Sequence, residues 1–270
     1  MPVINPNPAL LPKPFSRALV AHLQQGSDPV IQALFAPIIP HDYAWVLDEF
    51  IQALDTNRWA TSVTAGGGPT AFAYSAVRGG VLQGITGTTD NDAVAINLVQ
   101  TFLDPADNPF MLIRWRANAV TGFSFEVGFS DPKTDEALPG VTDVDTPTVA
   151  NGVTDIVAIH MDTDQTDTTA YLVGDGTTGA ATRTLIEDGA GTDFTPTANT
   201  WQTYVIGVRA NLGFINVWDG RRYVGRFGVT NGPDSGVLIR PYALFRTRNT
   251  VSKTIDVDCI GFGWERNQDN

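Results

Sequence analysis

From Trp59 onward the chain repeats one unit: a short run with apolar side chains at alternate positions, closed by Gly, Asp, Asn or Pro. Phe123–Phe129 sets Phe123, Phe125, Val127 and Phe129 on one face, and Phe110–Ala119 sets Met111, Ile113 and Trp115 against Arg114 and Arg116. Alternation of this kind is the period of a strand with one buried face. Further runs cover Thr70–Ala76, Val81–Thr86, Ala93–Val99, Ile156–Met161, Thr169–Val173, Ala181–Ile186, Trp201–Asn211, Phe214–Trp218, Arg222–Val229, Val237–Arg246 and Thr254–Trp264. Asp219-Gly220 is the strongest single turn signal between them. Strands at roughly ten-residue spacing with no helix between them predict an antiparallel sandwich or jelly roll rather than a parallel sheet. Ser130–Thr154, rich in Asp, Pro and Thr, reads as the longest loop.

The first forty residues are different. They hold eight of the seventeen prolines. Pro2, Pro6, Pro8, Pro12 and Pro14 fix φ repeatedly and remove backbone donors, so the segment predicts an extended arm. Two short amphipathic helices or turns follow, Phe15–Gln25 and Asp28–Phe35, which either pack on the body or dock on a partner. The arm also carries apolar side chains that need cover from water: Val3, Ile4, Leu10, Leu11, Phe15 and Leu19. Residues 1–44 therefore predict an arm that docks on a partner, with Pro6, Pro8 and Pro14 stiffening it, and residues 45–270 a single β body. Tyr43–Leu54 fits a helix or a strand equally by period alone.

Charge and composition exclude several classes. A net charge of −12 argues against nucleic-acid binding and against an anionic membrane surface. The opening residues lack a basic stretch followed by an apolar one, so no secretory leader is expected. No run approaches the length of a membrane span. The single cysteine, Cys259, cannot form an intrachain disulfide, and it reads as a small buried hydrophobe sharing a face with Ile255 and Val257.

The order of several segments carries a resemblance. Asp48-Glu49-Phe50 and Leu54–Trp59 open the body, and Thr88-Thr89-Asp90-Asn91-Asp92-Ala93 precedes a strand. Phe214–Gly220 (FINVWDG), Leu238–Tyr242 and Ile255–Ile260 follow in turn. The chain resembles the concanavalin A-like lectin/glucanase jelly roll, in the version found in tailed-bacteriophage capsid decoration proteins. That resemblance favours the strand reading of Trp45–Phe50.

Glucanases on this fold place paired carboxylates at alternate positions of one strand, one as nucleophile and one as acid. Here Phe123–Phe129 offers only Glu126, and Glu187-Asp188 sits in a loop with its carboxylates on opposite faces. No hydrolase is expected. His22, His41 and His160 are scattered, which disfavours a histidine metal site, and His160 reads as an outward-facing or satisfied sheet residue. Gly66-Gly67-Gly68 leads into a strand and lacks the context of a phosphate loop. Asp162, Asp164 and Asp167 crowd one hairpin tip and are weak calcium candidates, without the distal Glu of a calcium loop. Trp115, Trp201, Trp218 and Trp264 fall in strand patterns and read as core. No cofactor is expected.

The resemblance implies a non-enzymatic virion protein, made in the host cytoplasm and seated on the outer capsid surface. Its partners would be the major capsid protein and itself, as a homotrimer. The alternative is a lectin-like module of a head or tail fibre that binds glycan.

Overall fold

The computed structural model describes residues 43–50, 54–64, 68–75, 80–100, 102–177, 179–209 and 211–265. The arm residues from Val3 to Leu19, the two short amphipathic stretches, His22 and His41 lie outside the described residues. Trp45–Trp264 forms one compact unit.

Seventeen strands are described: β1 Tyr43–Asp48, β2 Trp59–Val63, β3 Thr70–Ser75, β4 Val81–Ile85, β5 Ala93–Leu98, β6 Phe110–Ala117, β7 Phe123–Ser130, β8 Val141–Asp143, β9 Thr148–Val149, β10 Ile156–Asp162, β11 Tyr171–Asp175, β12 Thr182–Leu185, β13 Gln202–Arg209, β14 Leu212–Asp219, β15 Arg222–Val229, β16 Arg240–Thr247 and β17 Thr254–Glu265. The ambiguous stretch near Tyr43 is thus a strand. One sheet runs β15-β14-β13-β6-β17-β4-β3, with β1 also on β17; the other runs β12-β11-β10-β7-β16-β5-β2. The pairing is antiparallel, as the hairpin spacing predicts, and the two sheets face one another as a jelly-roll sandwich. The β14–β15 hairpin turns at Gly220, whose φ of 60° suits glycine far better than a residue with a side chain.

Alternation decides what fills the interior. Phe123, Phe125, Val127 and Phe129 of β7 meet Met111, Ile113 and Trp115 of β6 in one buried cluster. Trp115 packs on Phe125 and Phe245, each with ring centroids 5.0 Å away. Each such side chain contributes on the order of 1.5–3 kcal/mol by leaving water.

The outward positions of β7, namely Ser124, Glu126, Gly128 and Ser130, are buried as well. The cover comes from the segment read as the longest loop. It contains the β8–β9 hairpin, and Val141, Val144 and Val153 pack on outward-facing Ile156, Ala158, Tyr171, Val173 and Tyr242. Asp and Thr in that segment bond to its own turns rather than to water alone: Asp143 Oδ1 accepts from the backbone N–H of Asp145 and Thr146.

One expected face is wrong. A bulge between Val257 and Cys259 shifts the register, so Ile255 pairs with Ala117 and Val257 with Trp115 on the inner side, while Cys259 pairs with Arg114. Cys259 is buried all the same, at 2% exposure, and burial pushes its thiol up from the ordinary range. It does not share a face with Ile255 and Val257, because one extra residue inverts the alternation.

Candidate functional site

Glu126 is the one carboxylate on β7, and the structure encloses it. Its Oε1 accepts from Lys133 Nζ at 2.9 Å, from the Tyr242 hydroxyl at 2.7 Å and from the Gly140 N–H at 2.8 Å. Its Oε2 accepts from the Val141 N–H at 2.7 Å and lies 3.3 Å from His160 Nδ1. Strand register supplies His160, directly opposite Glu126 on β10, and places Tyr242 on the neighbouring β16. The covering segment supplies the rest. Gly140 approaches closely because it has no side chain; a Cβ there would meet Ile156 Cδ1 at 2.8 Å and Glu126 Oε1 at 3.3 Å.

Burial alone would raise the Glu126 pKa, but the Lys133 ammonium and the His160 imidazole outweigh it and hold the carboxyl well below its usual range. Burial lowers Lys133 against the pull of Glu126, and its Nζ also sits 3.7 Å from the centre of the Tyr242 ring. Burial and the adjacent Glu126 carboxylate push Tyr242 well above its ordinary value. Both Lys133 and Glu126 are shut off from solvent, with side-chain exposures of 0% and 1%. Five donors around one ionised, inaccessible carboxylate make a structural anion, not an acid or a nucleophile. His160 faces outward from the sheet as expected, yet it is buried and only partly satisfied: its Nε2 finds no partner among the described residues.

The calcium candidates are taken up by arginines. Asp162 Oδ2 accepts from Arg246 at 3.0 Å and Oδ1 from Arg248 Nε at 2.8 Å, and Asp164 lies 3.3 Å from the same nitrogen. Asp167 is elsewhere, bonded to the Tyr171 hydroxyl and Arg183 at 2.9 Å each. The Tyr171 hydrogen bond, then the one from Arg183, draws Asp167 below the usual carboxylate value. Among the described residues no group of three or more His, Cys, Asp or Glu side chains is arranged to hold a metal ion.

Of the four tryptophans read as core, only Trp115 is fully enclosed. Trp201 and Trp218 are half-buried on the outward face of the larger sheet, Trp201 between Arg114 and Arg116 at 4.7 and 4.5 Å and Trp218 against Tyr223 at 5.0 Å. Trp264 is half-buried at the end of β17 and lines a cleft of about 360 Å³. Alternation separates the faces of a strand but does not say which face is covered, so these positions were not legible as partly open.

The cleft lies between the end of β17, β1 and the turns flanking β2 and β5. Phe102, Phe262 and Trp264 give it an aromatic wall, and Asn57, Arg58 and Gln100 a polar rim. Phe262 and Trp264 are stacked at 6.2 Å and 11° between planes, with Phe102 edge-on to both. Arg58 is fixed by Asp48, whose two oxygens each accept from it at 2.8 Å, and Asp48 also accepts from the Trp59 indole at 2.6 Å.

No family model matches the chain, and no curated protein matches it in sequence. Solved structures match it in fold. A protein of unknown function from Shewanella oneidensis MR-1 superposes with a TM-score of 0.55 at 11% identity, covering 88% of this chain and 95% of that one. The calcium-bound exoplasmic/lumenal domain of VIP36 gives 0.50 at 8% identity, covering 84% and 91%. LamAcat from Zobellia galactanivorans gives 0.50 at 11%, covering 80% and 96%. At such identities the likeness is one of fold: a concanavalin A-like lectin/glucanase-type β-sandwich.

Proposed function

We propose that this chain is a non-catalytic binding protein built on a lectin-type sandwich, serving as a capsid decoration protein of a tailed phage. The observation that carries the non-catalytic part is the enclosure of Glu126. Retaining glycosidases need two carboxyls about 5–5.5 Å apart, open to a substrate. The alternate β7 positions beside Glu126 are Ser124 and Gly128, and the carboxylate itself is saturated by donors.

The decoration reading rests on the arm. Eight prolines within forty residues reduce the entropy lost when such a segment is ordered on a partner, and the apolar residues between them supply area to bury. In this reading Leu10, Leu11 and Phe15 bind the major capsid protein, and the bodies cluster as a homotrimer on the capsid surface. A glycan-binding role is the second reading, favoured by the half-exposed ring of Phe102 in the cleft.

Co-sedimentation with empty capsid shells tests the first. The triple change Leu10→Ser, Leu11→Ser, Phe15→Ser is expected to weaken binding by several orders of magnitude, since each buried side chain of this size contributes roughly 1.5–3 kcal/mol. A chain truncated to begin at His41, which keeps every described strand, is expected to melt cooperatively and to fail to bind shells. Full occupancy by the triple variant would overturn the docking role. A large fall in its melting temperature would show instead that these residues belong to the fold.

A further inference from the structure

We propose that the cleft walled by Phe102, Phe262 and Trp264 is a binding site for the neutral pyranose end of a glycan. The inference rests on the non-catalytic binding reading above and gives it a ligand class. Three features of the cleft converge on that chemistry.

The first is its shape and lining. A volume of about 360 Å³ falls within the ~300–1,000 Å³ typical of small-ligand sites, which pair apolar walls with a few placed polar groups. The second is the rings. Phe102 is 40% exposed although it packs edge-on to Phe262 and Trp264 at 5.9 and 5.4 Å. Phe262 lies beneath at 2% exposure, so the accessible part of the wall is Phe102 and the half-buried Trp264. A wall of that kind suits the apolar C–H face of a sugar ring, while hydroxyls on the sugar's edge reach outward to the rim.

The third is the polar set and its charge. Asn57 and Gln100 are exposed side-chain amides, and an amide presents a donor and an acceptor side by side, the pattern that adjacent hydroxyls satisfy. Arg58 adds donors in a direction fixed by its two bonds to Asp48. It does not make the cleft cationic. Asp48 neutralises it, and Asp55, also on the lining, stands 3.8 Å from its other amino group. Two carboxylates against one guanidinium leave the site net negative, which disfavours phosphate, sulfate or carboxylate groups on the ligand.

Saturation-transfer NMR and tryptophan fluorescence on the full chain, with a panel of neutral gluco-, manno- and galacto-oligosaccharides beside sulfated and sialylated ones, test this directly. At least one neutral glycan is expected to bind at millimolar concentration or below, with affinity insensitive to salt and to chelator. Phe102→Ala, Asn57→Ala and Gln100→Ala change exposed side chains, so their melting temperatures are expected to hold while affinity falls roughly tenfold or more for the ring. Absence of binding by every neutral glycan, preference for the charged ones, or affinity unchanged in all three variants would overturn the site. Hydrolysis of a bound glycan would instead sink the non-catalytic reading, and loss of capsid-shell binding by these variants would assign the cleft to the capsid and not to sugar.

Discussion

Lys133 Nζ donates to Glu126 Oε1 at 2.9 Å with both side chains out of reach of solvent. The pair joins two parts of the chain that differ in kind, since Glu126 is on the central strand β7 and Lys133 on the segment that folds back over it. A buried ion pair is a weak source of net stability, but breaking one leaves an uncompensated charge. The cage therefore acts as a latch: it specifies where the covering segment lies.

Glu126→Gln tests the latch. The amide cannot balance the Lys133 ammonium, and one of its two polar ends presents donors to donors. The variant is expected to lose roughly 3–5 kcal/mol of unfolding free energy, as for other half-broken buried pairs. Glu126→Gln with Lys133→Met, which removes the stranded ammonium and keeps an acceptor for the backbone donors, is expected to lose less than Glu126→Gln alone. Urea unfolding measures both, and a neutral Glu126→Gln would show that the pair is not buried in solution.

Acid should act through the same residue. The folded pKa of Glu126 is depressed, while its unfolded value is about 4.3. Its contribution is thus fully present above about pH 5 and is lost as pH falls through and below 4.3. Asp131 and Asp175 oppose this. Burial raises both, so they bind protons more readily when folded and favour the folded state as pH drops. Comparing unfolding free energies of the parent and Glu126→Gln from neutral pH to about pH 3 isolates what Glu126 contributes. The parent is expected to fall more steeply, and parallel curves would refute the depressed value.

How far the sequence foretold this follows from separation along the chain. The β7 alternation and the Asp219-Gly220 turn are local, and both were legible. The Glu126 cage was not, because its partners lie 7, 34 and 116 residues away, at Lys133, His160 and Tyr242. A segment dense in Asp, Pro and Thr reads as solvated loop, and only a few valines in it, Val141, Val144 and Val153, hint that it packs on a sheet. Cys259 failed for a different reason. The bulge beside Asp258 has no residue signature in Val257-Asp258-Cys259, so a strict period of two placed the thiol on the wrong face.

The Asp162 network gives the last test. Arg246 is 8% exposed and relies on Asp162 and the Ser124 hydroxyl, at 3.0 and 3.2 Å, while Arg248 spans Asp162 and Asp164. With guanidinium groups already on the carboxylates, a calcium ion would have to displace a cation that is covalently tethered in place. Millimolar calcium or excess chelator is therefore expected to leave the melting temperature unchanged, since a ligand stabilises only by binding the folded state. Asp162→Asn is expected to cost about 3–5 kcal/mol by stranding Arg246, and Asp167→Asn, on an exposed rim, distinctly less. A calcium-dependent rise in melting temperature that disappears in Asp162→Asn would show that the arginines give way to a metal and would return this hairpin tip to the list of ligand sites.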